Sequence, residues 1–198
     1  MQQSESFWKV MSIVDIMRLI QEYADLRQLF AASKQLSETK QHVQYWNLTF
    51  TASVQYYEKE EFRRIIREKV MNVSKQLSLN FVEYNEYRTH TYNKISDVSA
   101  LGNVHTLYLS WCQGITDVSA LGNVHELHLS GCDNITDVSA LGNVHTLYLS
   151  GCRNVTDVNA LGNVHTLYLS GCRNVTNVSA LGNVQSLYLS DWCNMYIH

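Results

Sequence analysis

Apolar residues in the C-terminal half of the chain recur every twenty residues. One such series is Leu107, Leu127, Leu147, Leu167 and Leu187. The five twenty-residue units, here called coils one to five, begin at Asp97, Asp117, Asp137, Asp157 and Asn177. In coil one, Leu107 and Leu109 alternate with polar residues, which predicts a short strand with both leucines on one face. One unit cannot bury that face alone, but stacked neighbours can. The period therefore predicts a solenoid whose strands form a parallel sheet.

The remainder of each unit contains residues that favour turns. Asp117 is a good helix N-cap, and Gly122 suits the left-handed residue that often follows a helical turn. A unit of this length leaves room for little more than the strand and one such turn. Each coil is therefore predicted to hold a single turn of 3₁₀ or α-helix.

The spacing Val104-x-x-Leu107-x-Leu109-x-x-Cys112 resembles the leucine-rich repeat. The resemblance implies an α/β fold: a short right-handed leucine-rich repeat solenoid with its parallel sheet on the concave face. It also implies that the cysteines point inward and hold the loop after the strand. The residues assigned this structural role are Leu107, Leu109, Cys112, Cys132, Cys152 and Cys172. A zinc site is the alternative, because thiolates are favoured zinc ligands, although one cysteine per coil does not make a tetrahedron.

The N-terminal half has the pattern of amphipathic helices. Apolar residues spaced by three and four predict helix between Ser12 and Leu36, and again from Glu58 to Val70. Leu77 and Leu79 match Leu107 and Leu109 in spacing but lie one and a half units earlier, which suggests a divergent first repeat. The predicted division is a helical module at 1–50, a helical linker and divergent capping repeat at 51–96, and the solenoid of five units at 97–198.

The first segment resembles a degenerate F-box, with Ile13-Val14 where that family has Leu-Pro. The residues that carry the resemblance are Ile16, Leu19, Ile20, Tyr23, Asp25-Leu26, Leu29, Ser33-Lys34, Leu36 and Tyr45-Trp46. The resemblance implies an all-helical F-box-like module that docks the adaptor of a cullin–RING ubiquitin ligase. The implied docking residues are Ile16, Leu19, Ile20, Leu26 and Leu29. A plain helical cap for the solenoid is the alternative.

The amino-acid sequence of the repeat unit shows a second resemblance. The run Ser-Ala-Leu-Gly-Asn-Val-His-Thr-Leu-x-Leu-Ser-Gly-Cys is similar to near-identical arrays in leucine-rich proteins of large DNA viruses that infect amoebae. Several of those proteins place an F-box-like segment first. The resemblance implies a viral product that acts inside a host cell, in the cytoplasm or the nucleus.

Outward positions of the predicted strands form columns on the concave face. One column is aromatic and comprises Tyr108, His128, Tyr148, Tyr168 and Tyr188. Aromatic rings with polar tips are typical interface anchors, but stacked tyrosines also stabilise a sheet, and both roles can hold. Departures from the repeat identify further candidates for binding a protein partner: Trp111, Glu126, His128 and Asp133. Arg153 and Arg173 add positive charge at the neighbouring loop edge.

Two other columns allow both a functional and a structural interpretation. His105, His125, His145 and His165 could bind a metal or sense pH, or could simply be copied solvent-facing residues. The aspartates that begin coils one to four could bind calcium, but helix capping is the interpretation we favour.

Composition narrows the classes of function. The net charge of −3 gives no case for nucleic-acid or anionic-membrane partners, and no apolar run approaches the roughly 18 residues of a membrane span. Five cysteines, an odd count, and a polar N-terminus without a secretory signal favour reduced thiols in the cytoplasm or nucleus. No nucleophile elbow, phosphate-binding loop, HExxH or CxxC motif is present, so we expect no enzyme, cofactor or metal site.

The sequence thus favours a protein–protein interaction module that binds a target on its concave face. The finer hypothesis is the substrate-receptor subunit of a cullin–RING ubiquitin ligase. The alternative is a stand-alone structural or scaffolding protein without a ligase role.

Overall fold

The computed structural model describes residues 46–48, 50–67, 77–84, 89–91 and 94–190. The chain divides into two compact units, residues 1–79 and 80–198. None of the helices among the described residues has the length and apolarity needed to cross a membrane. The predicted docking residues of the F-box-like segment lie outside the described residues.

Among its described residues, the first unit has two short helices and one parallel strand pair. Strand β1, Trp46–Asn47, pairs with the start of strand β2, Leu77–Asn80, so that Trp46 lies opposite Leu77. The prediction of an all-helical module through residue 50 is therefore wrong at its C-terminal end, where the Leu48 N–H also donates to the Ser78 carbonyl at 2.9 Å. Residues 46–47 are a strand because their backbone pairs with β2, which lies about thirty residues further along the chain. The local sequence pattern does not reveal such a pairing.

Two helices follow strand β1, and the second of them lies within the helix predicted from Glu58 to Val70. Helix α1 is Phe50–Glu58 and helix α2 is Glu60–Ile65. Lys59, which separates them, has an extended backbone with φ −113° and ψ 105°. Tyr56 and Ile66 are buried, and the Arg67 guanidinium donates to the Tyr56 hydroxyl at 2.9 Å.

The second unit begins with a hairpin, in a segment where the sequence predicts only an extension of the capping repeat. Strand β3, Val82–Tyr84, pairs antiparallel with strand β4, Thr89–Thr91. Just before it, the Phe81 N–H donates to the Tyr108 carbonyl, as the Leu109 N–H donates to the His128 carbonyl. Phe81 therefore takes the position one coil before Leu109, which the leucine spacing assigns to Leu79. Both side chains are fully buried, so apolarity alone could not fix the register.

The remaining strands form a parallel sheet in strict coil-to-coil register, with Leu147 opposite Leu167 and its neighbours likewise aligned. The strands are β5 Thr106–Tyr108, β6 Glu126–His128, β7 Thr146–Tyr148, β8 Thr166–Tyr168 and β9 Ser186–Tyr188. Each is preceded by a 3₁₀ turn: Ser99–Leu101, Ser119–Leu121, Ser139–Leu141, Asn159–Asn163 or Ser179–Asn183. The predicted solenoid with one helical turn per coil is confirmed for these residues.

The interior of the solenoid is a set of aliphatic columns. Leu107, Leu127, Leu147 and Leu167 are fully buried, and the leucines two residues later in coils one to four are at most 1% exposed. Burial weakens in coil five, where Leu187 is half-buried and Leu189 is 36% exposed. Each buried leucine contributes about 1.5–3 kcal/mol of hydrophobic stabilisation, so this interior holds the sheet together.

The glycine after the helical turn does not have the predicted left-handed conformation. Gly122 has φ −61°, an ordinary right-handed value. Glycine is needed there for space, because a β-carbon on Gly162 would lie 2.5 Å from the carbonyl oxygen of Ala180 in the next coil. The left-handed glycines are instead those after the strands, Gly131, Gly151 and Gly171, with φ between 74° and 77°.

The aspartates lie one residue before the N-cap position of each turn, whereas the sequence predicts them at the N-cap itself. The first turn residue of coil two follows Val118, which occupies the N-cap position. Asp117 Oδ1 accepts a hydrogen bond of 2.8 Å from the Ser119 N–H, and Asp137 does the same with Ser139. These bonds lower the pKa of both aspartates. Each aspartate thus forms an Asx turn, in which its side chain accepts a hydrogen bond from the backbone N–H two residues later.

Candidate protein-binding face

The exposed face of strands β5 to β9 carries the predicted aromatic column. Alternation along each strand turns the leucines inward and leaves the flanking residues outward. Consecutive ring centroids of Tyr108, His128, Tyr148, Tyr168 and Tyr188 lie 4.3, 4.0, 4.3 and 4.2 Å apart. The rings become nearly parallel along the column, with an interplanar angle of 25° for the first pair and 3° for the last.

This stacking determines what a partner can touch. Because neighbouring rings cover one another's faces, the middle of the column presents ring edges and phenol hydroxyls. The ends are more open: Tyr108 is 36% exposed and Tyr188 is 48% exposed, whereas Tyr148 and Tyr168 are half-buried. A hydrogen bond with Tyr168 raises the pKa of the Tyr188 phenol. The face therefore offers a row of polar groups bounded by exposed rings.

Coil two interrupts the column with a bonded pair of side chains. His128 Nε2 lies 2.9 Å from Glu126 Oε1. Burial lowers the pKa of His128, while the hydrogen bond to Glu126 opposes that shift. Burial also raises the pKa of the Tyr108 phenol, with a second contribution from the Glu126 charge. These three predicted site residues of coils one and two thus form a single electrostatic group.

Trp111 is the most exposed large apolar side chain among the described residues, at 54%. It has φ 65°, the one non-glycine residue of the described chain with a positive φ. Its indole lies over Gly131, and its backbone N–H donates to the Ser130 carbonyl at 2.8 Å. A left-handed backbone costs a non-glycine residue about 1–2 kcal/mol, so Trp111 occupies this position at an energetic cost.

The charged loop residues lie beyond the strands. The backbone N–H of Arg153 donates to Asp133 Oδ1 at 3.3 Å, which links coils two and three. Asp133 is half-buried, and Arg153 and Arg173 are exposed. Asn154 and Asn174, one position further on, donate to the carbonyls of Asp133 and Arg153 at 2.8 and 2.7 Å. These hydrogen bonds join the loops that carry Asp133, Arg153 and Arg173 to one another.

Sequence reasoning missed Gln113, which takes the place of Asp133 and the two arginines in coil one. Its amide donates to the Gly131 carbonyl at 2.6 Å, beside the Trp111 indole. The available signal was the departure from the repeat at this position, which marks Gln113 in the same way as it marks Trp111.

The histidine column lies at the edge of the same face. Ring centroids of His105, His125, His145 and His165 are 4.6, 4.5 and 4.4 Å apart. Nδ1 of His145 lies 3.2 Å from Thr146 Oγ1, and His105 and His165 make the equivalent contact at 3.0 Å. Burial and the neighbouring imidazoles lower the pKa of His125 and His145. In the part of the chain that is described, no group of three or more His, Cys, Asp or Glu side chains is arranged to hold a metal ion.

The cysteines of coils one to four are buried free thiols. Sγ–H groups of Cys132, Cys152 and Cys172 donate to the carbonyls of Leu109, Leu129 and Leu149 at 3.2, 3.1 and 3.0 Å. Burial raises the pKa of Cys112 to about 12 and that of Cys132 to about 11. A thiol with such a pKa is protonated at neutral pH and is a poor nucleophile. The three bonded cysteines instead tie their loops to the preceding coil.

Comparison with known proteins supports the repeat assignment. The family model described as Leucine Rich repeat matches residues 123–142, which span one strand and the following turn. No curated protein matches the chain. Among solved structures, the crystal structure of an internalin (inlF) from Listeria monocytogenes is 29% identical, with a TM-score of 0.42; the match covers 59% of this chain and 34% of the internalin chain. The chain thus aligns with about a third of that protein. The matched residues span the end of coil two and the start of coil three, and the parallel sheet with one short turn per coil is similar to a leucine-rich repeat solenoid.

Proposed function

We propose that this protein binds another protein through the exposed face of strands β5 to β9. The observation that carries the proposal is the aromatic column, whose open ends at Tyr108 and Tyr188 adjoin polar and charged side chains. Aromatic side chains that combine apolar area with a hydrogen-bonding tip are enriched at interaction hot spots. The leucine-rich repeat architecture, which exposes one continuous sheet face, fits the same role.

The test is affinity capture from eukaryotic lysate with quantitative mass spectrometry. Wild-type protein is compared with a face variant, Tyr148→Ser combined with Tyr168→Ser, which leaves the buried leucines untouched. A second variant, Asn159→Ser, copies the residue of coil three on the opposite side of the coil and serves as the matched control. The proposal expects captured proteins that are lost with the face variant and kept with the control. Equal capture by all three proteins would contradict it.

The finer proposal is a substrate receptor of a cullin–RING ubiquitin ligase, active in the cytoplasm or nucleus of a host cell. Its support is the order of an F-box-like segment before the repeats. It is tested with purified adaptor subunit and the full chain carrying Leu19→Ala and Ile20→Ala as the docking variant. Binding by wild type and loss in the variant would support the ligase role. No binding of the adaptor by folded wild type would leave the stand-alone scaffolding alternative.

A further inference from the structure

Several departures from the repeat lie close together on the exposed sheet face, in coils one and two. Coils three and four differ from each other only at Ser139 and Asn159. Coil five departs at Gln185 and Ser186, and coils one and two hold five outward departures, namely Trp111, Gln113, Glu126, His128 and Asp133. The register places Tyr108 opposite His128 and Thr106 opposite Glu126, and the Trp111 indole covers Gly131. These residues therefore form one surface, here called the variant patch.

The variant patch carries negative charge on Glu126 and Asp133. Within strands β5 to β9, Glu126 is the one residue with a formal charge, and its side chain is 33% exposed. His128 Nε2 lies 2.9 Å from the Glu126 carboxylate, and burial lowers the pKa of His128, which disfavours the charged imidazole. The cationic loop residues Arg153 and Arg173 belong to coils three and four, where coil two has Asp133.

The same patch has exposed aromatic rings. Tyr108 and Trp111 both belong to coil one and are 36% and 54% exposed. A carboxylate beside exposed aromatic rings suits a lysine or arginine side chain, which gains from the charge and from the ring electrons. Gly131, beneath the indole, is five residues beyond Glu126, a separation of up to about 16 Å for extended chain. An extended chain segment can reach both positions.

We propose that the variant patch binds an extended peptide segment of a partner protein, with a lysine or arginine at Glu126 and an apolar or aromatic residue at Trp111. The two anchor residues are separated by about four to six positions, the length of extended chain that spans them. This inference rests on the proposed function and specifies the partner's chemistry at one end of the face.

The test is selection from a phage-displayed library of random 12-residue peptides on the full chain, followed by affinity measurements with a selected synthetic peptide. The chain supplies substitutions that its own coils already tolerate. Glu126→Thr and Trp111→Gly copy the residues of coils three and four, and Thr166→Ser copies coil five as the matched control. We expect enriched peptides to share a basic and an apolar residue at that separation. Glu126→Thr and Trp111→Gly should each raise the Kd of the peptide by about fivefold or more, and Thr166→Ser should leave the Kd unchanged.

A charge swap sharpens the result. Replacing the basic residue of the peptide by glutamate should abolish binding to wild type and restore measurable binding to Glu126→Lys. Enriched peptides without a basic residue, or peptides whose Kd is unchanged in Glu126→Thr, would overturn the inference and leave the proposed function intact. Failure to enrich any peptide would also overturn it, whereas only the capture experiment above decides the proposed function.

Discussion

The indole of Trp111 occupies the space into which a β-carbon on Gly131 would project. That β-carbon would lie 2.5 Å from Cε3 of Trp111, far inside van der Waals contact. Gly151, the equivalent residue one coil later, would meet nothing closer than the Gly131 N at 3.8 Å. The two glycines share a left-handed backbone but differ in what lies above them, so steric and conformational costs can be separated experimentally.

Gly131→Ala is expected to destabilise the protein more than Gly151→Ala. Both changes carry the left-handed penalty of about 1–2 kcal/mol, and overpacking against the indole adds about 1–3 kcal/mol in the first case alone. Urea denaturation followed by circular dichroism measures the difference. In a Trp111→Gly background the two alanine variants should become equally costly. A difference that persists there would show that the indole is not its cause.

A parallel pair tests the space requirement after the helical turn. Gly162→Ala should destabilise by about 1–3 kcal/mol, because its β-carbon would meet the Ala180 carbonyl oxygen at 2.5 Å. Gly182→Ala has no neighbour within 4 Å and should be neutral or stabilise by up to about 1 kcal/mol. Thermal unfolding of the two variants distinguishes them. Equal destabilisation would mean that conformational freedom, rather than space, selects glycine at this position.

Acidification should destabilise the solenoid in two steps. The pKa values of His125, His128 and His145 are lowered in the folded state, so the unfolded chain binds protons first as pH falls below about 6.5. The free energy of unfolding therefore falls from that pH downward. His105 and His165 repel protonation of their neighbours, whereas Glu126 favours that of His125 and His128. The lowered pKa values of Asp117 and Asp137 add a second loss below about pH 4.

Urea midpoints at pH 7.5 and 5.5 measure the first step. The control is His125→Gln with His145→Gln, since coil five carries Gln185 in this column. The double variant should lose less stability over this interval than wild type. An equal or larger loss in the variant would assign the pH dependence to other groups.

The buried thiols should resist modification in the folded protein. With Cys193→Ser as the background, a disulfide-exchange reagent at pH 8 should label Cys112, Cys132, Cys152 and Cys172 only as the protein unfolds. All four side chains are fully buried, and burial raises the pKa of Cys112, Cys132 and Cys152. Labelling rates are compared in buffer and in denaturing urea. Rapid labelling in buffer would contradict the assignment of these cysteines to the interior.

Much of the solenoid could be predicted because its contacts repeat. The spacing of Leu107 and Leu109, copied in every coil, specifies inward side chains, a parallel sheet and its register, and the structure has all three. The aromatic column could be predicted for the same reason. Its binding partner could not, because a copied tyrosine contributes to both sheet stability and recognition.

The mistaken predictions involve contacts between segments that are distant in the sequence. Phe81 and Leu79 are equally apolar, and only the bond from Phe81 N–H to the Tyr108 carbonyl shows which one continues the coil. Turn statistics, which describe a single chain, predict a left-handed Gly122, whereas its actual constraint is the carbonyl of the following coil. The strand at Trp46–Asn47 likewise depends on a segment far away in the sequence, since Trp46 pairs with Leu77.

The unbroken register from coil to coil has a consequence for how such a protein can evolve. Every middle coil offers the next one the same carbonyls, the same leucines and the same gap above its glycine. Recombination that adds or removes one complete unit in the gene therefore produces a longer or shorter sheet. The coils on either side of the change pack in the same way as before. Length can vary freely while the distinctive surface of coils one and two stays as it is.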